Sequence, residues 1–329
     1  MRFKASTLSV AGFLVIGSVL WAVCFGRTAL FPFKVDLTAK ADQQQKSRPR
    51  GSARQMAGTI RFREDDPRGL IADAWVNGAG RFEFALDTGV GTTLISSRAA
   101  EKAGIRVMSG TRVRVSGLSG LGNATGTEVV INSLALGDVD NVLSSHLTAI
   151  VTDSLPPGLD GILEPAEACR PYGLTLDLAR NELSLFDARA NPLRKADVPP
   201  DGAVVSWLSG DGSGRPFVML DNGRRALLDT GSSLGLGIPD HVAYNMGISG
   251  EDIAPPRTIK DLGAGAIRAK RVRPITVSIG TLALRNVPTD IIGSTAPDAP
   301  IILGRDALRP FLISFDPVHR LILITPSKG

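Results

Sequence analysis

The sequence predicts an all-β fold made of two homologous lobes, and three observations carry that prediction. Short alternating apolar runs, separated by turn residues, outnumber runs with helical spacing. The tetrapeptide Leu-Asp-Thr-Gly occurs twice, at Leu86-Asp87-Thr88-Gly89 and Leu228-Asp229-Thr230-Gly231, each time after a strand-like run. The surroundings of the two copies then repeat in the same order, which isolated turn motifs would not do.

The chain begins with Arg2 and Lys4, followed by an apolar stretch from about Ala5 to Phe25. A bilayer needs roughly 20 apolar residues, so this stretch is long enough to span one and longer than a usual signal-peptide core. The best cleavage candidate, Ala22-Val23-Cys24, is a poor small-x-small site. Residues 1–26 are therefore expected to be a signal anchor, with a cleaved signal peptide as the alternative. Residues 27–57 follow as a basic stalk, polar enough between Lys40 and Gln55 to remain flexible. The stalk carries seven Lys and Arg against Asp36 and Asp42, a charge equal to the whole chain's +5. With Arg2 and Lys4 also set aside, the lobes are slightly acidic. The basic character thus suits anionic headgroups beside an apolar span, and no nucleic-acid partner is expected.

The first lobe is placed at 58–190, an interlobe linker with Pro192, Pro199 and Pro200 at 191–203, and the second lobe at 204–329. Asn77-Gly78 and Asn222-Gly223 are hairpin turns just upstream of the two Asp-Thr-Gly loops. Phe82-Glu83-Phe84-Ala85-Leu86 alternates as a half-buried strand should. Beyond each loop a short helix is expected, Ser97 to Ala103 before Gly104-Ile105 and Asp240 to Met246 before Gly247-Ile248. Next come strands ending in glycine, Leu134-Ala135-Leu136-Gly137 and Val277-Ser278-Ile279-Gly280, with Asn141-Val142 and Asn286-Val287 after them. Each copy closes on an aliphatic run, Gly161-Ile162-Leu163 or Ile301-Ile302-Leu303-Gly304. The copies stand 142 residues apart at Asp87 and Asp229, and 143 apart at Gly104 and Gly247. This is a duplicated domain.

Between the expected helix and the strand ending at Gly137, Arg112-Val113-Arg114-Val115 alternates and runs into a glycine-rich segment from Gly117 to Gly126. Gly117, Ser119 and Gly120 are the candidate tip of a mobile flap, because glycine tolerates changing φ and ψ. A weaker counterpart lies around Leu262-Gly263-Ala264-Gly265-Ala266. The glycine string lacks the lysine and the βαβ setting of a phosphate loop.

Asp87 and Asp229 are the candidate catalytic pair. Two carboxylates brought close cannot both ionise cheaply; one keeps a proton while the other can deprotonate a water, with no metal or cofactor. His146, His241 and His319 show no metal-ligand spacing, and no metal is expected. Cys24 and Cys169 are the only cysteines, one of them in the apolar span, so no intrachain disulfide is expected within the lobes.

From about Gly58 to Thr325 the chain resembles a bilobal, single-chain aspartic protease of the pepsin and retropepsin kind. In that family each lobe supplies one Asp-Thr-Gly loop, and a hydrophobic-hydrophobic-Gly strand crosses beneath it. Asp160-Gly161-Ile162-Leu163 resembles the pepsin form of that strand, and Ile302-Leu303-Gly304-Arg305-Asp306 the retroviral form. The resemblance implies two pepsin-like β-barrel lobes with an active-site cleft between them. It also implies support of the pair by Thr88, Gly89, Thr230, Gly231 and Ser232, a peptide or protein substrate, and a soluble part that works as a monomer. It implies export too. More Lys and Arg lie after the apolar span than before it, which counts for a cytoplasmic side; large translocated domains can override that count, and the resemblance outweighs it. The expectation is a single-pass inner-membrane protein with its lobes in the periplasm or outside, or a secreted one if the signal is cleaved.

Two positions depart from the family. Val90 stands where Ser, Thr or Ala usually follows Asp-Thr-Gly, and Glu164 stands where the crossing strand of lobe one should have glycine. A Ser232 hydroxyl could donate to Asp229, whereas Val90 offers Asp87 nothing comparable, so the shared proton is expected on Asp87. The departures also keep open an inactive, membrane-tethered peptide-binding module of the same fold.

Overall fold

In the computed structural model the described residues are 56–66, 68–107, 111–115, 117, 124–208, 214–248, 252–260, 262, 265–293 and 299–328. The apolar span and nearly all of the stalk lie outside them. No helix among the described residues is long and apolar enough to cross a membrane.

Strands dominate, in three sheets. The first half of the chain builds one in the order Arg112–Val115, Ala124–Ile131, Leu147–Val151, Thr93–Ile95, Gly161–Leu163, Ala79–Leu86, Gly69–Val76, Leu134–Leu136, Val142–Ser144. Arg63–Asp65 pairs with Gly69–Val76 beside this path. The second half builds another: Phe217–Met219, Arg225–Asp229, Ile301–Gly304, Leu236–Pro239, Leu282–Ile292, Ala266–Ile279, Arg257–Lys260. Their centres are the same. Gly161–Leu163 runs parallel to Ala79–Leu86 and antiparallel to Thr93–Ile95, and Ile301–Gly304 does so with Arg225–Asp229 and Leu236–Pro239. These central strands are covered on both faces, which is why they are continuously aliphatic in sequence.

The third sheet belongs to both halves. It is antiparallel throughout, in the order Ile60–Arg61, Glu182–Phe186, Gly173–Asp177, Phe311–Asp316, Leu321–Pro326, Ala203–Ser206. Each half gives a hairpin and one earlier strand, and the halves join where Gly173–Asp177 meets Phe311–Asp316. Alternation buries Leu174 and Leu176 on one side of that join, and Ile313 and Phe315 on the other. Burying each such side chain stabilises the fold by roughly 1.5–3 kcal/mol. Trp207 meets Phe315 edge-on with ring centroids 5.8 Å apart.

The all-β, two-repeat expectation holds, with one correction: the lobes are not closed barrels. The first lobe's sheet ends in open edges at Arg112–Val115 and Val142–Ser144, the second's at Phe217–Met219 and Arg257–Lys260. Closure requires one edge strand to hydrogen-bond the other. The strands that follow each lobe's last short helix are committed instead to the shared sheet.

The repeated Gly-Ile steps are helix stops. Helices form at Ser97–Lys102 and Asp240–Asn245, and Gly104 and Gly247 then adopt φ of 66° and 67°. The N–H groups of Ile105 and Ile248 return to the carbonyls of Ala100 and Ala243 at 2.9 and 3.0 Å. This left-handed cap favours glycine, and the apolar residue after it packs back on the core.

Candidate active site

Alternation along Ala79–Leu86 sends Phe82, Phe84 and Leu86 into the core, so Ala85 and Asp87 share the opposite face. In the second lobe Leu228 is buried in the same core and Asp229 follows it. Both strands end in the Asp-Thr-Gly turn, and the two turns meet.

Two features lock that meeting. The Thr88 N–H donates to Thr230 Oγ1 at 3.1 Å, and the Thr230 N–H donates to Thr88 Oγ1 at 3.1 Å. The hydroxyls in turn donate across the interface, Thr88 to the Leu228 carbonyl at 2.6 Å and Thr230 to the Leu86 carbonyl at 3.0 Å. Both threonines are fully buried. Gly89 and Gly231 permit the second feature, close approach of each loop to the other's aspartate. A Cβ on Gly89 would stand 2.6 Å from Asp229 Cγ, and one on Gly231 would stand 2.3 Å from Asp87 Cγ.

The two carboxyl groups stand close enough for each to shift the other's titration, and each lies against the glycine of the opposite loop. Burial raises both above the ordinary carboxylate range. For Asp229 the adjacent Asp87 charge adds to burial; for Asp87 the Gly89 N–H, at 2.7 Å, pulls the other way. Such a pair titrates as a unit.

Ser232 does not act as expected. Its backbone N–H, with that of Gly231, donates to Asp229 Oδ1, at 3.1 and 2.9 Å, while its hydroxyl accepts from the Leu234 N–H at 3.3 Å. The premise for placing the proton on Asp87, a Ser232 hydroxyl donating to Asp229, is absent. Val90 packs against an apolar cluster of Ile71, Ala85, Leu94, Val115, Leu159 and Ile162. That cluster lies on the Asp87 side of the sheet, and Leu262 of the second lobe also rests on it.

Glu164 occupies the place of Gly304, since Leu163 registers with Leu86 as Leu303 does with Leu228. In lobe two a Cβ at Gly304 would stand 2.3 Å from the Leu234 carbonyl oxygen. Lobe one has one residue fewer in the loop leading to Thr93–Ile95, and the Glu164 N–H meets Thr93 Oγ1 at 3.3 Å. The Glu164 carboxylate caps the short helix Pro165–Ala168, accepting from Ala166 and Glu167 N–H at 3.2 and 2.5 Å. Burial pushes it up to about 7, and its charge raises Asp87 in turn.

Arg305 is the residue whose role sequence reasoning missed. It is buried, and its Nη1 donates to the carbonyls of Thr230 and Gly231, both at 2.9 Å. The retroviral-type Gly304-Arg305-Asp306 run contained the signal.

Arg112–Val115 and Ala124–Ile131 form the antiparallel base of the expected flap hairpin. Gly117 is described, whereas Ser119 and Gly120 lie outside the described residues. A depression of about 880 Å³ opens beside this base, lined by Ser97, Glu101, Arg106, Arg112 and Asp153 among others; neither Asp87 nor Asp229 lines it.

Residues 72–163 and 218–307 each match the family model of aspartyl proteases. The two matches together cover more than half of the chain, each containing one Asp-Thr-Gly loop and one crossing strand, and the chain belongs to the aspartyl protease family. Comparison with curated proteins finds no match.

Proposed function

We propose that this protein is an aspartic endopeptidase that hydrolyses peptide bonds with water activated by Asp87 and Asp229. The observation that carries the reading is the juxtaposition of the two carboxyl groups, each held against the glycine of the other's loop, inside the Thr88–Thr230 lock. One proton is shared. The ionised member takes a proton from the water, and the protonated one polarises the scissile carbonyl and later returns a proton to the leaving amine. An extended peptide would lie across the loops beneath the strand pair Arg112–Val115 and Ala124–Ile131, its main chain hydrogen-bonded and its side chains in alternating pockets.

The inactive, peptide-binding alternative drew on Val90 and Glu164. Val90 has a packing role and Glu164 a capping role, so neither departure calls for loss of turnover.

The test is cleavage of a diverse peptide pool by the full-length chain, with and without a statine-type inhibitor. Inhibited cleavage is expected, abolished in Asp87→Asn and Asp229→Asn variants that still fold. Near-normal turnover in either folded variant would overturn the dyad.

The reading extends to location: residues 1–26 anchor the chain in the inner membrane, the lobes lie on the outer side, and the enzyme works as a monomer because one chain supplies both aspartates. Protease added to spheroplasts should digest the lobes. Protection until the membrane is lysed would reverse the topology.

A further inference from the structure

Resting on the proteolytic reading above, we propose that Glu64 is a positioning residue of the active site: it orients Arg305, and Arg305 orients the Asp229 loop. Arg305 has a side chain only 3% exposed, and its Nη1 grips two consecutive carbonyls of that loop, Thr230 and Gly231. Gly231 is the residue pressed against Asp87, so a displaced Arg305 would disturb both carboxylates.

A buried guanidinium is stable only if a carboxylate offsets its lost hydration. Arg305 Nε donates to Glu64 Oε1 at 3.3 Å. Glu64 is itself fixed by Arg309, whose Nη1 and Nη2 donate to its two oxygens at 2.7 Å each. Asp66 also approaches Arg305, at 3.5 Å, but is 78% exposed and therefore well screened. Asp306, next to Arg305 in sequence, pairs with Arg309 instead.

The counter-charge for a cation of the second lobe thus comes from strand Arg63–Asp65 of the first, 241 residues away. The device is one-sided. Pro165 stands in lobe one where Arg305 stands in lobe two, so the Asp87 loop has no equivalent grip.

The experiment compares full-length wild type, Glu64→Gln, Arg305→Lys and the double variant in detergent. Glu64→Gln is expected to lower kcat about tenfold, while KM stays within about twofold, because the loss is in alignment rather than in peptide contacts. Its acidic limb should move to lower pH, since the field of Arg305 already lowers Asp87 and would lose a counter-charge. The double variant should be no slower than Arg305→Lys alone, because Glu64 acts through Arg305. Glu64→Asp keeps the charge and should recover part of the rate; it replaces Glu64→Gln if that variant does not fold. An unchanged kcat, or losses that multiply in the double variant, would overturn the proposal. A readout independent of turnover is the titration of the dyad followed by carboxyl ¹³C shifts of labelled aspartate. If that titration moves in Glu64→Gln while wild type cleaves nothing, the proteolytic reading fails and the positioning stands. If it does not move, the positioning fails whatever the activity.

Discussion

Thr88 and Thr230 each give a backbone N–H to the other's hydroxyl oxygen, at 3.1 Å in both directions. Each hydroxyl also donates to the carbonyl just before the opposite aspartate. Thr230→Val keeps the volume and removes the hydroxyl, leaving the Thr88 N–H and the Leu86 carbonyl buried without it. The expected cost is about 2–4 kcal/mol of stability, against about 1 kcal/mol or less for Thr230→Ser. Urea unfolding of the three proteins measures both values, and equal midpoints for Val and wild type would contradict the lock.

Gly231→Ala should remove activity without unfolding the sheets. Its Cβ would overlap Asp87 Cγ at 2.3 Å, so the loop or the carboxylate must shift. A displacement on the order of 1 Å at a catalytic group can cost about 10²-fold in rate. Peptide cleavage and far-ultraviolet circular dichroism, read together, separate this outcome from misfolding.

Glu164 should make stability fall as pH rises. Its folded value of about 7 lies above the ordinary 4.5, so between these values the folded state binds more protons than the unfolded one. Its contribution is therefore fully present below about 4.5, is lost as pH rises towards 7, and changes no further above that. The span corresponds to roughly 3 kcal/mol. Thermal unfolding from pH 4 to 8 should slope less steeply in Glu164→Gln than in wild type; parallel profiles would refute the assignment.

Val90→Ser should leave the acidic limb of kcat/KM in place. The matching Ser232 reaches Asp229 by its backbone N–H, so a new hydroxyl at 90 has no counterpart effect to reproduce. The substitution should instead cost about 1 kcal/mol of stability, because Val90 leaves the apolar cluster around Ile71 and Ile162. A limb displaced by a full pH unit would show that the hydroxyl does govern the dyad.

The duplication, the two Asp-Thr-Gly loops and the strands leading into them are all legible in the sequence. Each is a local matter. A period of two places Phe84 and Leu86 on one face, a turn needs residues within a few positions, and a left-handed cap needs glycine at 104 and 247. Other features depend on which distant groups the fold brings within about 3 Å. The pairing of Leu174 with Phe315 in the shared sheet, which leaves the lobes open, has no signature in either strand alone. The amphipathic pattern of 173–177 would serve equally well inside a closed lobe. In the same way Ser232 could have used hydroxyl or N–H, and Glu164 could have faced the dyad or capped a helix. Glu64 is a surface-type residue by sequence. It acquires its place beside Arg305 only because burying that guanidinium demands a carboxylate, and packing the two lobes together puts Glu64 within reach.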